Sequence, residues 1–100
     1  MVNVVANKLP QIKELFRKYQ AERAYLFGSA ATGKFNEKSD VDFLFSFPEN
    51  IDYEVYANNY FGLLHELQTL LERDVELVAE KTLKNPFLIE SINQSKIALL

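Results

Sequence analysis

Gly28-Ser29-Ala30-Ala31-Thr32-Gly33-Lys34-Phe35-Asn36-Glu37-Lys38-Ser39-Asp40-Val41-Asp42 is the stretch on which the fold is decided: small residues, a polar connection, then two carboxylates one residue apart. Ala24-Tyr25-Leu26-Phe27 precedes it and Phe43-Leu44-Phe45-Ser46-Phe47 follows it, both of strand length and strand composition. The motif therefore joins two strands. In an extended chain, side chains two residues apart leave the same face about 6.5 to 7 Å apart, so Asp40 and Asp42 project together from the start of the second strand. Like charges held that close repel, and a shared divalent cation relieves the repulsion. For oxygen-only ligands beside phosphate the natural ion is magnesium. At the other end of the motif, Gly28 permits a tight turn, and Ala30-Ala31-Thr32 can form a short helix whose free N–H groups face that turn and attract anions.

Working outward, the chain of one hundred residues is expected to form one domain, 1–100, with a core sufficient without disulfide or metal support. It contains no cysteine, which removes disulfide frameworks, thiolate nucleophiles and zinc fingers from consideration and agrees with a cytoplasmic location. The start, Met1 to Asn7, is too short and polar for a signal peptide, and no apolar run reaches membrane-spanning length. Eleven basic against fourteen acidic side chains give a net charge of −3, the wrong sign for tracking a nucleic-acid backbone, so no strong nucleic-acid binding is expected. Hydrophobic residues reach 48%, high enough that part of the apolar surface is expected to meet a partner.

Leu9, Ile12, Leu15, Phe16 and Tyr19 recur at helical spacing after Pro10, which predicts an amphipathic helix covering one face of the sheet that starts at Arg23. In the second strand, Asp40, Asp42 and Leu44 share one side, while Val41, Phe43, Phe45 and Phe47 share the side packed beneath helices. From Tyr53 to about Glu72, the positions Tyr53, Tyr56, Ala57, Tyr60, Phe61, Leu64, Leu67 and Leu71 trace one helical face, with Gly62 marking close packing against the sheet and His65 on the polar side. A third strand, Asp74 to Ala79, places Asp74, Glu76 and Val78 on one face. Asn85 caps a last helix that Pro86 opens, and Lys96 to Leu100 forms a short strand or an apolar tail. The sum is an α/β (α+β) domain with a small mixed sheet covered by helices. Gly28-x-x-x-x-Gly33-Lys34 also matches most of a P-loop. However, Phe35 stands where Ser or Thr should bind magnesium, and no long helix follows.

The combination of Gly28-Ser29, a connection of ten residues and Asp40-x-Asp42 resembles the signature of the polymerase beta-like nucleotidyltransferase superfamily, and in particular its minimal nucleotidyltransferases. Gly28, Ser29, Ala31, Gly33, Ser39, Asp40 and Asp42 match the family's Gly-Ser-x-Ala-Arg-Gly and Ser-Asp-x-Asp. Thr32 stands where the family has arginine, and Glu76, in Val75-Glu76-Leu77-Val78, where the third carboxylate is usually aspartate. The resemblance implies catalytic and metal-binding roles for Asp40, Asp42 and Glu76, with two magnesium ions between them. It implies nucleotide binding by Gly28, Ser29 and Ser39, and Lys34 is the candidate to replace the missing arginine. It further implies ATP as substrate, AMP transfer to a hydroxyl, and a HEPN-type helical toxin as partner. On this reading the acceptor is a tyrosine of the toxin, the chain is an antitoxin, and the assembly is a hetero-oligomer or a homodimer. Two other readings stand beside this one: a catalytically weak or inactive module that neutralises a helical partner by contact, and transfer to a small hydroxylated molecule.

Overall fold

Residues 1–100 are all described in a computed structural model. Its centre is β2 (Val41–Ser46), whose alternating side chains bury a stripe of aromatics on one face and carry an acid on the other. β1 (Arg23–Phe27) pairs with it antiparallel, Leu26 opposite Phe43 and Phe27 opposite Asp42. β3 (Val75–Ala79) pairs with it parallel on the other side, and β4 (Ile97–Ala98) adds two residues to β1. The order β3-β2-β1-β4 is a mixed sheet, as expected. No helix is long and apolar enough to cross a membrane.

The expected amphipathic helix is α2 (Leu9–Lys18), which lays the fully buried Ile12 and Phe16 on the sheet; the rings of Phe16 and Phe43 meet edge to face at 5.4 Å. Val41, Phe43, Phe45 and Phe47 join the same cluster, and Leu63, Leu67 and Leu71 enter it from α4 (Tyr53–Leu71). Leu44 and Ile92 are buried but lie outside that cluster. The alternation of β2 puts Leu44 on the opposite face, and Ile92 belongs to α5 (Pro86–Ser95). The predicted cap of α5 is present: the Asn85 side chain accepts from the Phe87 and Leu88 N–H groups at 2.9 and 3.3 Å. A short α1 (Asn3–Ala6), absent from the sequence reading, buries Val5, and the Val2 N–H donates to the Ala30 carbonyl at 3.0 Å. The N-terminus thus braces α3 (Ser29–Thr32), the short helix beyond the Gly28 turn.

The assigned face of α4 needs correcting. Tyr53 and Phe61 are 89% and 66% exposed, and the buried line runs through Leu63, Leu67 and Leu71 with Tyr56 and Tyr60 beside it. Tyr60 and Phe61 are successive residues about 100° apart on a helix, so the sheet can take only one of them. The role of Gly62 also changes: a Cβ there would lie 2.7 Å from the ring of Tyr19, so the close approach is to the end of α2 and not to the sheet. That ring is held in place, because the Tyr19 hydroxyl donates to Glu66, which Lys18 also engages at 2.9 Å. Helix propensity alone would make Gly62→Ala stabilising by about 1 kcal/mol, whereas overpacking a fixed ring costs about 1 to 3 kcal/mol. A lowered urea midpoint is the expected result for Gly62→Ala; a raised one would mean that the ring yields freely.

Candidate active site

Two neighbouring strands bring the acids together. The parallel register sets Asp42 opposite Glu76, and strands in a sheet lie about 4.8 Å apart, so the two carboxyl groups stand on the same face within reach of one another. Asp74, the other acid considered for the third strand, lies before β3 and takes part through its carbonyl, which accepts from the Val41 N–H at 3.1 Å. Asp40 sits just ahead of β2 and is exposed, while Asp42 is half-buried. Burial is the first cause acting on Asp42, followed by a hydrogen bond with Glu76 and the negative charges of Glu76 and Asp40; together they push its carboxyl from 3.8 up to about 7. Near neutrality Asp42 therefore holds a proton that an ordinary carboxylate would have lost. The raised value contributes stability that is complete below pH 3.8 and is lost as the pH climbs to about 7.

Gly28 explains why burial acts so strongly on Asp42. Its backbone (φ 72°, ψ −153°) lies where only glycine is at ease, and a Cβ there would collide with the Asp42 carboxylate. The turn is thus packed directly on the acid. Beyond it, the Ala31 and Thr32 N–H groups both donate to the Gly28 carbonyl at 3.1 Å, so the Ala31 amide expected to face phosphate is already engaged. The Ser29 and Ala30 amides donate to nothing within the chain. Ser29 follows Gly28 in this turn, half-buried and with its amide unengaged, whereas Ala30 is fully buried; Thr32 and Lys34 are exposed further along.

Ser39 closes the connecting loop. Its hydroxyl oxygen accepts from the Asn36 N–H at 3.0 Å, its own N–H donates to the Asn36 carbonyl at 3.0 Å, and the Asn36 side chain accepts from the Lys38 N–H at 2.8 Å. The residue overlooked in the sequence is Arg73, which donates to the Ser39 carbonyl at 3.2 Å and stacks its guanidinium over the Phe35 ring at 4.6 Å. No local spacing marks it, because its partner is 34 residues away. The P-loop alternative is not met: the helix after the glycine turn has four residues, and β1 pairs only antiparallel.

The donor set suits a hard divalent cation, since it is all oxygen and an ion could take the place of the proton that Asp42 retains. As the side chains stand, no three of them converge closely enough to hold one. Asp42 and Glu76 form the assembled part, with Asp40 at its open side. The three main grooves of the molecule, about 840, 630 and 470 Å³, are lined by none of these residues. Asp40 and Glu76 are exposed on either side of the half-buried Asp42.

Comparison with known proteins places the chain in a family. The family model described as "Polymerase beta, Nucleotidyltransferase" matches residues 10–100. A candidate protein adenylyltransferase of Methanocaldococcus jannaschii is 34% identical over 97 residues, covering 89% of this chain and 95% of its own. A solved structure of a candidate minimal nucleotidyltransferase superposes with a TM-score of 0.70 at 29% identity, covering 93% of this chain and 90% of that one. The MNT antitoxin in complex with the tri-AMPylated HEPN toxin of Shewanella oneidensis has the same fold, with a TM-score of 0.66 at 21% identity over 95% of this chain and 71% of that chain. With the family model spanning nearly its whole length, the chain belongs to the polymerase beta nucleotidyltransferase family, among its minimal nucleotidyltransferases.

Proposed function

We propose that this chain transfers AMP from ATP to a tyrosine hydroxyl of a HEPN-type helical toxin and so acts as its antitoxin. The observation that carries the reading is the Asp42–Glu76 pair pressed against the Gly28 turn. The Ser29 amide and hydroxyl, next to the Gly28 turn, would bind the outer phosphates. Asp40, Asp42 and Glu76 would hold magnesium, which when bound supplies charge neutralisation for the triphosphate and a lower pKa for the attacking hydroxyl. The acceptor oxygen bonds to the alpha phosphorus, its proton passes to a carboxylate of the cluster, and pyrophosphate leaves. Such catalysis is chiefly positioning and charge compensation, which these residues can supply without histidine or cysteine. The exposure of Asp40 and Glu76 supports a macromolecular acceptor, which can reach them from outside. The adenylyltransferase name of the archaeal relative and the AMPylated toxin bound to the antitoxin of similar fold support the choice of AMP and of partner.

ATP labelled at the alpha phosphate, mixed with magnesium, the chain and a HEPN-type toxin, should label the toxin, whereas gamma label should not transfer. No alpha-label transfer, under conditions in which an active relative transfers, defeats the enzymatic reading. Thr32 in place of arginine favours the contact-only reading, which predicts that Asp40→Asn with Asp42→Asn still protects cells from the toxin. The raised Asp42 carboxyl yields a separate expectation. Magnesium must displace its proton, so the magnesium-induced rise in melting temperature should be larger at pH 8 than at pH 6. An equal rise at both values would show that the ion binds without Asp42.

A further inference from the structure

We infer that Arg73 is a positioning residue for Asp40, an inference that rests on the carboxylates being the catalytic site. Asp40 lies in the last residues of the loop before β2, exposed and with no hydrogen bond from its own side chain. What holds it is the backbone on either side. The Ser39 carbonyl, immediately before it, accepts from Arg73 at 3.2 Å. The Val41 N–H, immediately after it, donates to the Asp74 carbonyl at 3.1 Å. Both anchors come from one short segment, residues 73 and 74, and the same segment runs on to Glu76, the register partner of Asp42. The passage from α4 into β3 thus sets the place of Asp40 and of Glu76 together.

Arginine suits this position for reasons that lysine does not share. Its flat guanidinium covers the Phe35 ring at 4.6 Å while one arm reaches Ser39, which fixes both ends of the 35–39 connection. Its Nε is sealed from solvent without a partner, a cost tolerated because the rest of the group is so constrained. Glu72, at the end of α4, turns the chain through a left-handed conformation (φ 53°) and delivers Arg73 to the loop. Arg73 is absent from the causes acting on Asp42, so its influence passes through the backbone that carries Asp40.

Three variants test this. Arg73→Met keeps the stem and loses the fork, Arg73→Lys keeps one donor and the charge, and Phe35→Leu removes the ring beneath an intact arginine. Amide hydrogen exchange is read at residues 36–41 and across the remaining fold, together with the magnesium midpoint from melting shifts and the kcat and KM for AMP transfer. Arg73→Met should exchange faster at 36–41 alone, with about 10- to 100-fold weaker magnesium response and kcat, as for other residues that orient ligands, and little change in the KM for ATP. Arg73→Lys should restore part of each, and Phe35→Leu should reproduce a milder form even if Arg73→Met does not fold. Uniformly faster exchange across the fold, or unchanged exchange at 36–41 in a folded variant, would overturn the inference. If the wild-type chain transfers no AMP, the enzymatic reading fails by itself, and exchange at 36–41 still decides whether Arg73 holds the Asp40 loop.

Discussion

Asp42→Asn should lower AMP transfer by about 10³-fold or more while making the ion-free protein harder to unfold near pH 8. The two effects have the same origin. In the folded chain, burial, the hydrogen bond with Glu76 and the charges of Glu76 and Asp40 resist ionisation of Asp42, raising its carboxyl to about 7. At pH 8 it is nevertheless charged, and the fold bears the cost of that charge. Asparagine is nearly isosteric and neutral, so it removes the cost, a gain of about 1 to 2 kcal/mol once solvent screening of a half-buried group is allowed for. On the proposed function it also removes a ligand for the cation that would offset triphosphate charge. Urea titrations at pH 4, 6 and 8 in the absence of divalent ions should therefore diverge, the variant gaining on the wild-type chain as the pH rises from 3.8 towards 7. A variant that loses transfer and is also destabilised at pH 8 would mean that Asp42 is a structural acid whose negative charge the fold prefers.

The second large effect is expected at Gly28. An alanine there meets two obstacles: the backbone at φ 72°, ψ −153° is strained for any side chain, and its Cβ would occupy the space of the Asp42 carboxylate. Strain of about 1 to 3 kcal/mol, with displacement of the acid added, gives an expected loss near 2 to 4 kcal/mol. Displacing a reacting group by about 1 Å is enough to reduce turnover by about 100-fold. Gly33→Ala is the control. That residue is also left-handed (φ 88°), but nothing lies within 4 Å of its added Cβ. It should lose about 1 to 2 kcal/mol of stability and retain transfer. Equal transfer by the two variants, both folded, would remove the Gly28–Asp42 contact from the mechanism.

Much of this arrangement is legible in the chain itself where short-range physics decides. The alternation around Phe43 and Phe45 separates the aromatic side of β2 from the acidic side, and Asn85-Pro86 marks the start of a helix to the residue. The Gly28-Ser29 and Asp40-x-Asp42 pair identifies the turn and the acids. What local pattern does not contain is which distant segments meet. Gly62 faces Tyr19, and Arg73 reaches Ser39; both depend on how α2, α4 and the loop settle against the sheet. Tyr53 and Phe61 fit an apolar helical pattern as well as Leu63 does, and only the width of the sheet decides which of them stay outside. The inequality between Asp40 and Asp42 is likewise a matter of depth: one precedes the strand and is exposed, the other lies under Gly28.

The crossover that places β3 beside β2 also fixes when the site can exist. Asp42 and Glu76 are neighbours in space but are separated along the chain by the whole of α4, so a nascent or partly folded molecule in which that long-range pairing has not closed carries two of the acids without the third. Such a species has no completed acidic pair. On the proposed function, competence for transfer therefore depends on that long-range pairing having closed, and a chain in which it has not closed is expected to be inert.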